Sequence, residues 1–499
     1  MKWFTMICVC IGRGRHKHVI AEHQYLAEQG VKLVELRVDY IRSRLNIKRL
    51  LDDRPCPCIV TCRREADGGQ WMGAEDDRRL VLRTAIAEGV EYVDLEDDIA
   101  GEIPRYGKTK RIVSYHNFRE TPDDLEKIHE RMSGLDPDIV KIATMAHRPI
   151  DNLRMLQLVR DTKIPTIGIC MGEIGTPTRI LGGKYGAPFT YATFQHELKL
   201  APGQLSYKAM RELYRYDQIN AETDIYGVIA DPVAQNLGSV VHNTAFREQA
   251  LNKVFIPFRV PQDDLISFME LVQDLDIKGL SVTVPHKEEI LRYLVQADGA
   301  VRGIGGANTI LMDQRSIVGF NTDYRAFNDV VNQVFSHQDE GQSLWGKTAL
   351  VLGGGGVSKA ILYALRRREA DVLIAARTFD RAVELAERFK CRPIQWYDRL
   401  KFDPDVVINA TPIGMHPNVD ETPFDRAHLR RGSIVIDTVY NPEQTLLIKH
   451  AREQNCRVVT GVDMFVRQAA LQFEHFTGQS APEDAMRTEL RRVIGAAKY

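Results

Sequence analysis

Eight apolar, β-branched runs recur at residues 3–11, 32–38, 58–63, 91–96, 110–115, 138–144, 165–170 and 190–194. Helix-like stretches separate most of them, among them Glu75 to Glu88, Asp123 to Met132 and Asp151 to Arg160. Near-continuous apolar runs describe strands buried on both faces, as in a parallel sheet covered by helices. Eight strand–helix units within roughly 200–250 residues fit a (β/α)8 barrel, here over residues 1–216. In that architecture catalytic groups sit at the C-terminal ends of the strands. Those ends are polar in this chain: Glu35-Leu-Arg37, Thr61-Cys-Arg63, Asp94-Leu-Glu96, Ser114-Tyr-His116 and Lys141.

The polar segment 217–224 reads as a linker, after which the strand Ile225-Tyr-Gly-Val-Ile229 opens a second α/β unit, residues 223–330. A polar stretch at 336–343 precedes a third unit, residues 340–460. There the apolar run Thr348 to Leu352 leads into Gly353, Gly354, Gly355 and Gly356, and a helix-like stretch begins at Val357. A strand, a Gly-rich turn and a helix N-terminus make a Rossmann-like pyrophosphate site, because Gly lets the backbone approach phosphate and the helix end offers free N–H groups. The next apolar run ends in Arg377-Thr378, where an NAD site usually carries an acid; a cation suits a 2′-phosphate, so the expected cofactor is NADP. Gly341-Gln-Ser-Leu-Trp-Gly-Lys-Thr348 matches the Walker A pattern but has a linker before it and a strand after it, the reverse of what ATP binding needs. The tail from 461 reads as two helices separated by Gly478 and Pro482, completing the 223–330 unit.

Lys+Arg number 66 and Asp+Glu 67, a balance that gives no reason to expect nucleic acid or an anionic membrane as partner. No apolar run approaches the roughly 18 residues of a membrane span, and the N-terminus lacks the marks of a signal or transit peptide. The eight cysteines include no Cys-x-x-Cys pair. Buried free thiols in a reducing cytoplasm, with no metal site, are the expectation. The partners are then small molecules, with the oligomeric state left open.

Lys141 interrupts an otherwise apolar strand, a costly place for an ammonium without a partner or a function. Desolvation and neighbouring cations make such a lysine a Schiff-base nucleophile. His116 ends the preceding strand and can move protons. Arg37, Arg63 and Arg179 point to a carboxylate-bearing substrate, which a guanidinium binds bidentately.

Five motifs in order, Glu-Leu-Arg-Val-Asp (35–39), Thr-Cys-Arg (61–63), Ser-Tyr-His-Asn-Phe (114–118), Val-Lys-Ile-Ala (140–143) and Ala-Pro-Gly-Gln (201–204), closely resemble type I 3-dehydroquinate dehydratases. The resemblance implies that Lys141 forms an imine with the C3 ketone of 3-dehydroquinate. His116 then removes the C2 proton and later protonates the leaving C1 hydroxyl, with Glu96 orienting it. Glu35, Arg37, Arg63, Arg179 and Gln204 bind substrate. Asp67 stands where several members carry a Glu on a closing loop, and Leu200 where a Ser is expected, removing one substrate hydrogen bond.

Leu-Ser-Val-Thr-Val-Pro-His-Lys-Glu (280–288), Gly-Ala-Asn-Thr (306–309), Gly-Phe-Asn-Thr-Asp (319–323), Asn-Ala-Thr-Pro-Ile-Gly-Met (409–415) and Val-Tyr-Asn-Pro (439–442) look like shikimate dehydrogenases. The resemblance implies NADPH-dependent reduction of 3-dehydroshikimate to shikimate. Lys287 is the proton donor, held by Asp323. Thr283, Asn308, Tyr440 and Gln468 contact substrate, and Val357, Arg377, Thr378, Thr411, Gly461 and Met464 join the Gly run in the cofactor wall. Where the family has a Ser-x-Ser pair for the substrate carboxylate, this chain reads Asn236-Leu-Gly238. A Gly at the second position is a feature of quinate-preferring relatives, whereas Thr283 argues for shikimate. The alternatives are therefore a second half that prefers quinate, or a degenerate fusion that senses quinate-like ligands; the retained Lys141, His116, Lys287 and Asp323 argue against the sensor.

Overall fold

The computed structural model describes residues 6–194, 200–233, 237–313, 316–335 and 344–496. Asn236, the segment 336–343 and the start of the Walker-like match lie outside the described residues. The chain divides into two compact units, residues 1–225 with 231–234 and 252–277, and residues 226–230, 235–251 and 278–499. The sequence boundary near 217–224 does not foresee that 252–277 sorts with the barrel. Bonds within the first unit explain it: Tyr185 donates to the Leu275 carbonyl at 3.0 Å, Arg148 pairs with Asp264 at 3.0 Å, and Arg259 pairs with Glu173 at 3.0 Å.

In the first unit β1 (Met6–Ile11), β2 (Leu33–Arg37), β3 (Cys58–Thr61), β4 (Tyr92–Glu96), β5 (Lys110–Asn117), β6 (Ile139–Met145), β7 (Thr166–Met171) and β8 (Phe189–Thr193) form one sheet in the order β7-β6-β5-β4-β3-β2-β1-β8. Neighbours run parallel. At the remaining seam, between β7 and β8, the helix Thr176–Leu181 intervenes, and Thr190 Oγ1 donates to the Arg179 carbonyl at 2.9 Å. Each strand falls within or beside a run expected from the sequence. Helices at Glu75–Ala87, Leu125–Ser133 and Pro149–Asp161 meet the expected ones, the last opened by a proline whose missing N–H costs nothing there.

Strand side chains alternate between the barrel interior and the helices. The interior floor is apolar, with Leu33, Ile59, Ile112, Ile139, Ile167 and Phe189 packed together. Two residues further along each strand the same face carries Glu35, Thr61, Ser114 and Lys141, so the polar layer sits directly above the apolar one.

The second unit contains β9 (Asp224–Ala230), β11 (Ile277–Val282), β12 (Gln296–Ala297), β13 (Thr309–Asp313) and β14 (Ser316–Phe320), in the order β9-β11-β13-β14-β12; β10 (Lys253–Arg259) counts with the first unit. A further parallel sheet holds β15 (Thr348–Leu352), β16 (Asp371–Ala375), β17 (Arg392–Ile394), β18 (Val406–Asn409), β19 (Ile434–Asp437) and β20 (Arg457–Val459), ordered β17-β16-β15-β18-β19-β20. That is the doubly wound dinucleotide-binding order, whose ligand crevice opens where the order reverses, between β15 and β18. The tail forms two helices, Gly461–Thr477 and Glu483–Ala496, and Gly478 ends the first in the left-handed region at φ +70°, where glycine carries no Cβ penalty. Thr460 and Asp463 form a reciprocal capping box that fixes where the first begins.

Candidate active sites

Lys141 projects from the middle of β6 into the barrel mouth. Its Nζ donates to Asp94 Oδ2 at 2.9 Å, lies 3.8 Å from Glu35 Oε1, and sits 4.3 Å above the centre of the Tyr191 ring. Asp94 also pairs with Arg63 Nη2 at 2.8 Å and accepts from Ser114 Oγ at 2.6 Å. All of these groups are buried. Burial alone would raise the Asp94 carboxyl, but Arg63 and Lys141 outweigh it and hold it well below the usual range. Glu35 follows the same pattern: burial pushes it up, and Lys141 and Arg37 bring it below its ordinary value. Both carboxylates are therefore ionised beside the lysine.

His116, two residues above Ser114 on β5, shares this cavity with Glu35, Arg37, Arg63, Asp67, Lys141, Arg179 and Gln204. Burial, and then Arg63 and Lys141, push its pKa well below 6.5, so at neutral pH it is a free base. Arg63 Nη1 lies 3.1 Å from His116 Nδ1 and donates there, which leaves the ring proton on Nε2. Glu96 does not orient His116 directly, as the sequence resemblance implies. Its carboxylate accepts from Arg63 Nη1 at 3.1 Å and from the wholly buried Arg78 at 2.6 Å, so it reaches the imidazole through Arg63. Arg37 is engaged by Asp39, Nη2 to Oδ2 at 2.7 Å. Arg179 differs from the other arginines. It donates to the Pro202 carbonyl at 3.0 Å, its buried Nε has no hydrogen-bond partner among the described residues, and burial pulls its pKa down to about 10. A desolvated guanidinium with an open donor is an anion receptor. Gln204 Oε1 accepts from the Leu200 N–H at 3.0 Å, and Leu200 lines the cavity with its aliphatic chain where a hydroxyl was expected.

Sequence reasoning left Asp94, Ser114, Arg78 and Tyr191 without roles. Asp94 and Ser114 stood in the polar strand ends, and their alternation with Leu95 and Tyr115 was the available signal. Arg78 lies inside a helix, and nothing local marks it as buried.

In the second unit one cavity gathers Gly238, Thr283, Lys287, Asn308, Asp323, Val357, Tyr440, Met464 and Gln468, all nominated from the sequence. Lys287 Nζ and Asp323 Oδ2 are 2.6 Å apart. Asn308 is locked by Thr322, accepting from its N–H at 2.7 Å and donating to its Oγ1 at 2.9 Å. Gln472, one helical turn beyond Gln468, donates to the Asn308 carbonyl at 3.0 Å and lies 3.2 Å from His242 Nε2. Burial takes His242 down to about 4, so it is neutral. His242 and Gln472 line the cavity and were missed; the i, i+4 spacing from Gln468 was the one signal for Gln472. Burial raises the Tyr440 hydroxyl to about 12, and its ring packs 4.4 Å from that of Phe465.

The cofactor wall tests well against a dinucleotide. Gly353 stands at φ +117°, and a Cβ there would meet the Ala410 carbonyl oxygen at 2.5 Å and Thr411 Cγ2 at 3.0 Å. Only glycine allows this turn. The helix Gly356–Arg367 then presents its N-terminus at the crevice. Gly461 packs as closely, with a Cβ placed 2.0 Å from the Val439 carbonyl oxygen. Thr411 is fixed by Asn409, its Oγ1 donating at 2.7 Å. Arg377 and Thr378 are exposed at the end of β16, and Arg377 has no ion-pair partner among the described residues. Arg381, one turn further, donates to the Gly354 carbonyl at 3.2 Å and brings a second cation that the sequence reading overlooked. Among the described residues no cluster could hold a metal, and no helix is long and apolar enough to cross a membrane.

A barrel with a buried lysine site, followed by a Rossmann dehydrogenase site, defines a lyase joined to an NADP-linked oxidoreductase. Residues 7–221 match the type I 3-dehydroquinase model, 228–310 the shikimate dehydrogenase substrate-binding domain, 336–438 the shikimate/quinate 5-dehydrogenase model and 461–491 the shikimate 5′-dehydrogenase C-terminal domain. The chloroplastic bifunctional 3-dehydroquinate dehydratase/shikimate dehydrogenase of Arabidopsis thaliana is 36% identical over 96% of this chain and 83% of its own length. The NADP(+) shikimate dehydrogenase of Methanopyrus kandleri is 37% identical over 54% of this chain and 95% of its own. A crystal structure of a shikimate dehydrogenase with NADP+ superposes at TM-score 0.50 and 31% identity, covering 55% of this chain and 97% of that one. The chain belongs to the bifunctional 3-dehydroquinate dehydratase/shikimate dehydrogenase family of the shikimate pathway.

Proposed function

We propose the following division of labour. In the barrel, Lys141 attacks the C3 ketone of 3-dehydroquinate, water leaves, and a protonated imine forms over the Tyr191 ring, whose face favours a cation. Arg179 takes the substrate carboxylate with its open donor. Arg63 turns from His116 Nδ1 to the substrate, which frees that lone pair to remove the C2 proton. The same imidazole returns the proton to the C1 hydroxyl as it leaves, and hydrolysis of the imine releases 3-dehydroshikimate and Lys141. Glu96 and Arg78 act behind Arg63 as positioning residues.

In the second unit Thr283, Asn308, Tyr440 and Gln468 hold 3-dehydroshikimate, and Lys287, fixed by Asp323, protonates the carbonyl oxygen. NADPH, when bound, supplies the hydride. Gly353 to Gly356 and Val357 would hold its pyrophosphate, Thr411 and Met464 would line its path, and Arg377, Thr378 and Arg381 would bind its 2′-phosphate. Shikimate is the favoured product over quinate because Thr283 lines the cavity and the barrel makes the matching ketone. A cytoplasmic, reducing location is supported by eight free cysteines.

The observation that carries this proposal is the meeting of Lys141, the neutral His116 and the open Arg179 in one cavity of the first unit, while Lys287 and Asp323 meet in a separate cavity of the second. Two independent sites make a clean test. Lys287→Ala should cut reduction by about two to four orders of magnitude, the usual effect of removing a proton-transfer group, and leave dehydration at the wild-type rate. Loss of both activities in the folded variant would contradict it.

A further inference from the structure

The residue after the proposed proton donor is Glu288, and it is tied to the cofactor side of the second unit. Its Oε1 pairs with Lys359 Nζ at 2.6 Å and lies 3.9 Å from Arg381 Nη2. Lys359 sits in the first turn of the helix Gly356–Arg367 and is only 2% exposed, while Glu288 is 57% exposed. A buried ammonium needs a fixed counter-charge, and here the counter-charge comes from the turn that holds Lys287. The packing along this seam is tight. A Cβ on Gly356 would approach Lys287 Cδ to 3.3 Å, one on Gly303 would meet the Tyr363 ring at 2.5 Å, and one on Gly305 would meet Arg388 Nη2 at 1.9 Å. The Lys287 carbonyl in turn accepts from the Ala307 N–H at 2.9 Å, next to Asn308.

We propose that Glu288 is a positioning residue that couples cofactor binding to the placement of Lys287 through its ion pair with Lys359. The coupling follows from competition and geometry. Arg381 is shared among Glu384, which it meets at 2.5 Å, the Gly354 carbonyl of the Gly-rich turn at 3.2 Å and the Glu288 carboxylate at 3.9 Å. A bound 2′-phosphate draws Arg381 away and leaves the carboxylate to Lys359 alone. The Lys287 turn is then held against the dinucleotide helix, with its amine aimed at the substrate carbonyl. The substrate site is thus better formed when cofactor is present, and by linkage the reverse holds equally. This inference rests on the assignment of Lys287 as proton donor.

The test is an equilibrium measurement on the full chain with a pair that cannot react, shikimate and NADPH. Shikimate affinity is measured by calorimetry with and without saturating NADPH. In the wild type NADPH should tighten shikimate binding by about fivefold or more, the lower end of typical coupling. Glu288→Gln and Lys359→Met should each bring that factor below about twofold, and each should lower turnover while NADPH affinity measured without shikimate stays at the wild-type value. The exchanged pair Glu288→Lys with Lys359→Glu should restore the coupling. A purely structural ion pair would lower thermal stability and leave the coupling factor unchanged. Full coupling in Glu288→Gln, or none in the wild type, overturns the proposal. Because Glu288→Gln alters an exposed, isosteric position, the test survives a failure of Lys359→Met to fold. If Lys287→Ala keeps normal reduction while Glu288→Gln loses coupling, the fault lies in the assignment of Lys287 and not in the link.

Discussion

Asp94 is the residue on which the charge balance of the barrel site turns, so Asp94→Asn is the most informative substitution. The carboxylate is buried and meets Lys141 at 2.9 Å, Arg63 at 2.8 Å and Ser114 at 2.6 Å. Asparagine keeps the shape and removes the charge, leaving two buried cations less compensated. Removing one partner of a buried ion pair costs about 3–5 kcal/mol. Each kcal/mol moves the midpoint of a domain this size by roughly 2–4 °C, so the barrel transition should fall by roughly 6–20 °C in calorimetry. Dehydration should fall steeply, since Lys141 and Arg63 both lose their anchor, while reduction by the second unit stays at the wild-type rate. The pH dependence has a definite sign. Arg63 and Lys141 hold the folded Asp94 below its unfolded value. Its stabilisation is complete above the unfolded carboxylate pKa of about 4 and is lost as pH falls through the lower folded value. The gap between wild type and Asp94→Asn should be constant above about pH 5 and narrow progressively below about pH 4. A midpoint change under about 2 °C at neutral pH, with dehydration retained, would refute the reasoning.

Arg377→Ala removes the exposed cation at the end of β16 and should raise the NADPH Michaelis constant roughly 10- to 100-fold, a charged contact being worth about 1.5–3 kcal/mol, with NADH use unchanged; equal wild-type use of the two cofactors would count against it. Gly238→Ser restores the second hydroxyl of the carboxylate-binding pair and should tighten shikimate by about 0.5–1.5 kcal/mol while lowering any quinate oxidation. Comparing wild-type quinate and shikimate oxidation decides whether Gly238 has widened the pocket; no quinate activity at all would make it a neutral replacement.

Much of this architecture is legible in the chain because each buried parallel strand writes itself as an apolar run. The residues that interrupt those runs, such as Lys141 within Ile139–Met145, mark the site because burying charge without reason is costly. What the sequence hides is pairing. Asp94 reads as one more polar strand end until the barrel sets β4 beside β5, with β6 along the other edge of β5. Arg78 reads as a surface residue of an acidic helix start, yet it is fully buried against Glu96. Arg63 and His116 show in the motifs and Glu96 at a polar strand end, but that the Arg63 guanidinium stands between the other two does not. Arg381, Gln472 and His242 need helix geometry and tertiary packing to reach their cavities. The sorting of 252–277 with the barrel depends on bonds such as Tyr185 to Leu275, between residues 90 positions apart.

In the proposed division of labour one chain performs two reactions at two sites, the first through an imine on Lys141. Borohydride added with 3-dehydroquinate, followed by peptide mass spectrometry and both activity assays, tests it most directly. The expected result is a ligand-derived mass on the Lys141 peptide, dehydration abolished, and NADPH-dependent reduction of 3-dehydroshikimate unchanged. Trapping on another lysine, or normal dehydration in Lys141→Ala, would contradict the account.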